Sequence, residues 1–154
     1  MNRVALASSA LACCFASSGC SSGRAILSVT SGRIESTTAY SGLSVEVGQL
    51  EQELKARLQT LIVLRLRERG WFARVKEGGE ESLVLSVTLG DWTKGTLGQT
   101  PIALSTEFKL ALVLIDRRSG RELGTGTVSA WGLTEDRALQ EAAVRTADFV
   151  AESR

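Results

Sequence analysis

The stretch from Leu104 to Asp116 constrains the fold of this chain more than any other. Leu104, Thr106, Phe108 and Leu110 alternate with Ser105, Glu107 and Lys109, the period-two pattern of a half-buried β-strand. From Leu110 to Ile115 both sides are apolar. That half is covered on both faces, or it offers one face as an interaction surface. Arg117-Arg118-Ser119-Gly120 follows and predicts a hairpin turn, with glycine at the position that tolerates positive φ. Arg121 to Trp131 returns as the partner strand. Gly124 and Gly126 fall on one face of it, which leaves room for a helix to approach closely or for a bulge.

Upstream, Leu50, Leu54, Leu58 and Leu61 recur at helical spacing and predict a helix over Val47 to Arg69. Glu51–Lys55 and Glu53–Arg57 are i,i+4 pairs with the acid first, the favoured order. Gly70 supplies the left-handed stop, and Arg65, Arg67 and Arg69 suit the negative end of the helix dipole. Leu61 to Leu66 is apolar nearly all round, so the helix enters the core as it ends or shows a partner surface there. Arg33 to Tyr40 and Trp71 to Val75 read as further strands, and Glu77 to Glu80 as a turn. Leu83, Leu85, Val87 and Leu89 alternate with Val84, Ser86 and Thr88, giving a strand with one buried face. Gly90 to Thr100 holds three glycines and no apolar period, and reads as a loop. Thr134 caps a last helix whose first turn carries Glu135 and Asp136. Its inner face is Leu139, Ala142, Ala143, Thr146 and Val150, and the alanines suit close packing on the glycine-bearing strand. The expectation is a two-layer α+β domain over residues 33–154. It has a mostly antiparallel sheet of four or five strands with two helices on one face, the long helix being a crossover between parallel strands.

What precedes the domain reads as an export signal. Met1-Asn2-Arg3 is positive, and Val4 to Phe15 is uncharged and mostly apolar. This is too short to span a membrane and right for a secretory leader. Ala16, Ser17, Ser18 and Gly19 are small, as a peptidase cleft requires. Residues 1–19 are then a signal peptide. Gly19-Cys20 resembles the end of a bacterial lipobox, with Ser17 where leucine usually stands, and marks Cys20 for lipidation. Residues 20–32 read as its flexible tether. A cut after Ser18 competes and would leave a soluble periplasmic chain with one free thiol. Leu11-Ala12-Cys13-Cys14 is a further box with an awkwardly short apolar region. Loss of Arg3 with the leader leaves 17 basic and 17 acidic residues, so no excess charge draws a nucleic acid. The membrane partner is reached through acyl chains, at about 0.8 kcal/mol per buried methylene.

All three cysteines lie in the leader or at the anchor, and histidine is absent. The commonest general base and metal ligand are therefore missing, and with them thiolate sites. No nucleophile motif, phosphate loop or metal spacing appears. The reading is of a protein without enzymatic activity, with no cofactor and no metal. Asp116 is expected to shape the hairpin turn. The one polar and aromatic cluster beside a long stretch without period is Asp91-Trp92-Thr93-Lys94. Asp91, Trp92 and Lys94 are candidate partner-binding residues, because exposed aromatics on loops often mark interfaces. The structural alternative folds Trp92 back on the sheet edge.

Leu66, Gly70, Phe72 and Val75, a Leu-x-x-x-Gly-x-Phe-x-x-Val run, lie downstream of the cysteine. Asp116, Gly120 and Leu123 close the long strand as Asp-x-x-x-Gly-x-x-Leu. In these motifs the chain resembles uncharacterised small bacterial envelope lipoproteins of the domain-of-unknown-function type. More distantly it is similar in layout to the lipopolysaccharide-assembly lipoprotein and to transport-auxiliary lipoproteins. The resemblance implies an outer-membrane lipoprotein facing the periplasm. Two functions fit: an accessory or adaptor subunit of an envelope assembly or transport system with a protein partner, or a lipid- or glycan-binding module. The second predicts a cleft beside Ile62, Leu66 and Val113, the first a filled core.

Overall fold

The computed structural model describes residues 23–29, 37–96 and 104–152. Strands β1 (Gly23–Val29), β2 (Gly42–Gly48), β3 (Arg74–Glu77), β4 (Leu83–Thr96), β5 (Leu104–Asp116) and β6 (Arg121–Gly132) form one sheet in the order β1-β6-β5-β4-β2-β3. Helices α1 (Gln52–Arg69) and α2 (Glu135–Ala151) complete the fold. β1, β6, β5 and β4 run antiparallel, whereas β2 is parallel to both β3 and β4. Among the described residues the sheet has six strands, not four or five, and it is mixed: three neighbouring pairs are antiparallel and two are parallel, so it is mostly but not wholly antiparallel. A parallel pair needs a crossover connection, and α1 supplies it between β2 and β3.

Both helices lie on one face. α1 packs on β2 and β3, α2 on β6, β1 and β5, and the two helices touch each other. Between them and the sheet, Leu43, Val45, Leu58, Ile62, Leu66, Leu85, Phe108, Leu112 and Phe149 are fully buried. The helices run parallel: Arg57 pairs with Glu135 and Asp136 at the start of α2, and Arg69 with Asp148 near its end. These ion pairs are partly exposed, so they align the helices more than they stabilise them.

Several local expectations hold in detail. Gly70 closes α1 at φ 66, and Thr134 Oγ1 accepts a bond from the Arg137 N–H. β5 spans Leu104 to Asp116, as expected. Leu139, Ala142, Ala143, Thr146 and Val150 are all buried. Both uses of the β6 glycines occur. A Cβ on Gly126 would stand 2.9 Å from the Phe149 ring, so only glycine lets α2 come this close. Leu123 is the extra residue of a bulge, since Leu114 pairs with Gly124 but Ile115 with Glu122.

Other expectations fail for identifiable reasons. The expected tether of residues 20–32 is, over Gly23–Val29, the edge strand β1 on β6. Its Ser- and Gly-containing sequence looks flexible, but its Ala25, which is buried, and its partly buried Leu27 pack against the core. Of the strand expected at Arg33 to Tyr40, residues 33–36 lie outside the described residues. Thr37 to Tyr40 is a turn, closed by Tyr40 N–H on the Thr37 carbonyl at 3.0 Å. The long helix starts at Gln52, not Val47. Leu43, Val45 and Val47 alternate with Ser44 and Glu46 and belong to β2, and Gln49 turns the chain at φ 57. β3 begins at Arg74, not Trp71. The loop expected over Gly90 to Thr100 is strand as far as Thr96, with a register shift between Leu89 and Asp91; residues 97–100 lie outside the described residues. The pairing capacity of β5 overrides a weak local pattern there.

Candidate functional site

A polar hollow lies where β2 and β3 end and α1 begins. Glu46, Val47 and Gly48 of β2, Lys55 and Gln59 of α1, Gly78, and Ser86 and Thr88 of β4 line a cleft of about 420 Å³. Its form follows from the backbone. β2 stops at Gly48, opposite Thr88, while β4 continues to Thr96. Gly48 carries no side chain, and a Cβ built there would meet nothing within 4 Å. Gln59 Nε2 donates to the Val45 carbonyl at 2.7 Å, and the Gly78 N–H to the same oxygen at 2.9 Å. These two bonds tie α1 and the end of β3 to β2, and Gly78 adopts φ 71 to make its own. The Glu46 carboxylate is paired with Arg117. The cleft therefore offers an ammonium, a neutralised carboxylate and two hydroxyls. That set suits hydrogen bonding to a small polar ligand. It lacks an activated nucleophile with an adjacent base.

A second, more apolar groove of about 390 Å³ runs between the helices. Ala56, Arg57, Thr60 and Leu61 of α1 face Asp136 and Gln140 of α2 across it. Ala56, Thr60 and Leu64 stand four apart and share the exposed side of α1, with Leu64 48% exposed. Ile62, Val63 and Leu66 are buried, so α1 enters the core as it ends and keeps Leu64 outside.

The cleft expected beside Ile62, Leu66 and Val113 does not form. Ile62 and Leu66 are fully buried on the helix side. Val113 alternates with the buried Leu112 and Leu114 and so takes the other face of the sheet. On that face Ala111 is exposed and Val113 and Ile115 are half-buried, so the doubly apolar half of β5 is only partly covered.

The polar and aromatic cluster lies in the distal half of β4. Asp91 is in register with Lys109, Trp92 with Phe108 and Lys94 with Thr106. These residues therefore belong to a paired strand and not to a loop. Cys20 lies outside the described residues. Asp116 shapes the hairpin as expected. The Ser119 hydroxyl donates to it at 2.9 Å and the Arg118 N–H at 3.0 Å. The Ser119 bond first, then the Arg118 bond, hold its carboxyl below the usual range. What the turn gains from this is present above the ordinary carboxylate pKa and is lost as pH falls through the lowered value. Among the described residues no group of three or more acidic, histidine or cysteine side chains is placed to hold a metal. No described helix is long and apolar enough to cross a membrane.

The polar cleft escaped sequence reading because its lining comes from four separate elements. The available signal was the alternation of Val45 and Val47 with Glu46, followed by Gly48.

No protein-family model matches the sequence, and no curated protein matches it. Solved structures do. The chain is similar to the PelC dodecamer from Paraburkholderia phytofirmans, at TM-score 0.58 and 16% identity, over 84% of this chain and 96% of that one. A DUF330 protein from Xanthomonas campestris overlays at TM-score 0.49 and 14% identity, over 80% and 87%. Lipoprotein GNA1162 from Neisseria meningitidis overlays at 0.48 and 14%, over 72% and 98%. The PelC likeness is one of fold.

Proposed function

We propose that this chain is a lipid-anchored protein of the bacterial cell envelope that acts without catalysis. In this reading it is an accessory or adaptor subunit of an outer-membrane or envelope assembly or transport system and faces the periplasm. The observation that carries the reading is the spacing at the amino end. Gly19-Cys20 follows an uncharged leader, and β1 starts only three residues past that cysteine. A domain joined so closely to its anchor is held at the membrane surface and meets partners there. The fold supports a role within an assembly, because PelC has this fold and was solved as a dodecamer. The residues of the polar cleft support a role without catalysis, since its carboxylate, Glu46, is engaged by Arg117 and its lining holds no histidine or cysteine.

Partner capture tests the adaptor role. With little net charge to steer association, affinity must come from shape and apolar anchors. Trp92 is the anchor candidate, on β4 just past its bulge. Trp92→Ala is expected to weaken capture from crosslinked envelopes by about 2 kcal/mol or more, on the order of thirtyfold, with the melting temperature nearly unchanged. Intact capture with a lowered melting temperature would mean that Trp92 serves the sheet.

A second reading rests on the polar cleft, whose hydroxyls, ammonium and carboxylate suit a glycan better than a lipid. Gly48→Leu places a side chain in open space within it, so the fold tolerates the change and the cleft is filled. Titration with neutral, amino-sugar and uronic-acid oligosaccharides should then show binding to the parent chain and at least tenfold weaker binding to the variant. Equal binding by both would exclude the cleft.

A further inference from the structure

We infer that the end of the domain carrying Arg24, Trp131 and Leu133 seats on the lipid bilayer, with Leu133 inserted at the level of the headgroups. The inference rests on lipidation at Cys20, as proposed above, and adds which surface the anchor presses against the membrane. An extended chain spans at most about 3.6 Å per residue, so the three residues from Cys20 to Gly23 keep the anchored cysteine within roughly 11 Å of the start of β1. Gly23 pairs with Gly132, and a Cβ on it would touch Arg137 and Glu141 in the first turns of α2. A lipid on Cys20 is therefore attached within that reach of the β6–α2 junction.

At that junction Glu135 and Asp136 are paired with Arg57, and the side chains beside them are ones a membrane interface accepts. Leu133 directly follows Gly132 and is 55% exposed, the most exposed large hydrophobic among the described residues. Trp131 is half-buried and stands in register with the exposed Arg24. An apolar tip, an amphipathic ring and a cation together are the usual furniture of interfacial anchoring. On the other side of Trp131 stands Glu107, whose carboxylate lies 3.9 Å from Lys109 Nζ. β4 and β5 also extend beyond the pairing of Thr106 with Gly132 at this end. The opposite end is the Arg117–Gly120 hairpin. It stands roughly 40 Å away along β6, at about 3.3 Å per residue.

Once the leader and the anchor are accounted for, the chain has no other cysteine, so single labelling sites can be introduced cleanly. Lipidated protein carrying Leu133→Cys, and a second sample carrying Ser119→Cys, would be labelled with an environment-sensitive fluorophore. Both would be reconstituted into phosphatidylcholine–phosphatidylglycerol vesicles containing a nitroxide lipid labelled near the headgroup. The probe at 133 should shift to the blue and lose roughly half its emission to the nitroxide, as expected for a side chain at interfacial depth, while the probe at 119 is unaffected. Protein that floats with the vesicles but leaves position 133 unquenched overturns the orientation and spares the lipidation. A blue shift at 133 that ignores the nitroxide also overturns it, because a second copy or another protein then covers Leu133. Protein that fails to float with the vesicles overturns both readings.

Discussion

Leu58→Ala is expected to destabilise the protein by about 2–5 kcal/mol, the range for truncating a fully buried leucine. Leu58 has no exposure and lies midway along α1, between Leu54 and Ile62 on the helix's buried side. That side rests on β2 and β3. Three features make collapse around the lost atoms difficult. The Arg67 guanidinium binds the Val75 carbonyl at 2.7 and 3.0 Å, Gln59 binds Val45, and the ion pairs to α2 hold both ends of the helix. A domain of this size has roughly 5–15 kcal/mol in all, so the variant would spend a large share of it. In urea the midpoint should fall with little change in slope. Leu64→Ala, on the exposed side of the same helix, should stay within about 0.5 kcal/mol of the parent. A loss under about 1 kcal/mol for Leu58→Ala would mean that α1 packs through another face.

The sequence disclosed most where one local signal faced no competitor. β5 was legible to its end residues because alternation, a doubly apolar run and a turn motif agree over Leu104 to Gly120. α2 was legible because the Thr134 cap, its acidic first turn and its alanine-rich face all point to one helix. Reading was weaker where two periods overlapped. Leu50 is four residues from Leu54 and drew the helix back to Val47, although Leu43, Val45 and Val47 already follow a strand period. β1 was hidden for another reason. A short edge strand whose apolar run, Ala25 to Leu27, does not alternate has little strand pattern of its own, and its position is set by pairing with β6, about a hundred residues later.

The candidate sites show the same division. Asp116 could be placed from sequence because its partners, Arg118 and Ser119, are two and three residues away. The polar cleft could not, since Glu46, Lys55 and Ser86 come together only when β2, α1 and β4 are assembled. The ligand space expected beside Val113 fails on parity. Ile62 and Leu66 pack from α1 on the helix-covered face of the sheet, and a one-residue offset along β5 puts Val113 on the other face. Asp91, Trp92 and Lys94 look like loop residues in the sequence because glycines surround them. The strand that holds them depends on pairing with β5, which no local window contains.

Cys20→Ala is expected to move the protein from the membrane to the soluble envelope fraction and to abolish acyl labelling. Alanine offers no sulfur for a thioether, so lipid cannot be attached. The chain itself gives little to replace it: its mature charge is balanced, and Leu133 is a single apolar contact. One acyl chain alone gives only marginal, reversible membrane binding, with an association constant of about 10⁴ M⁻¹, and a set of chains makes it effectively permanent. The difference between parent and variant should therefore be close to all-or-none. Folding should be untouched, because the first residue placed in the sheet is Gly23, and an unchanged melting temperature checks that the variant is released and not merely misfolded. The mass of the parent's amino terminus separates the two possible cuts. A triacylated Cys20 follows from cleavage after Gly19, and an unmodified Gly19 with a maleimide-reactive thiol beside it follows from cleavage after Ser18. Membrane fractionation and labelling that persist in Cys20→Ala would show that something other than this cysteine holds the chain. The reading of Leu133 as the bilayer contact would then lose its premise as well.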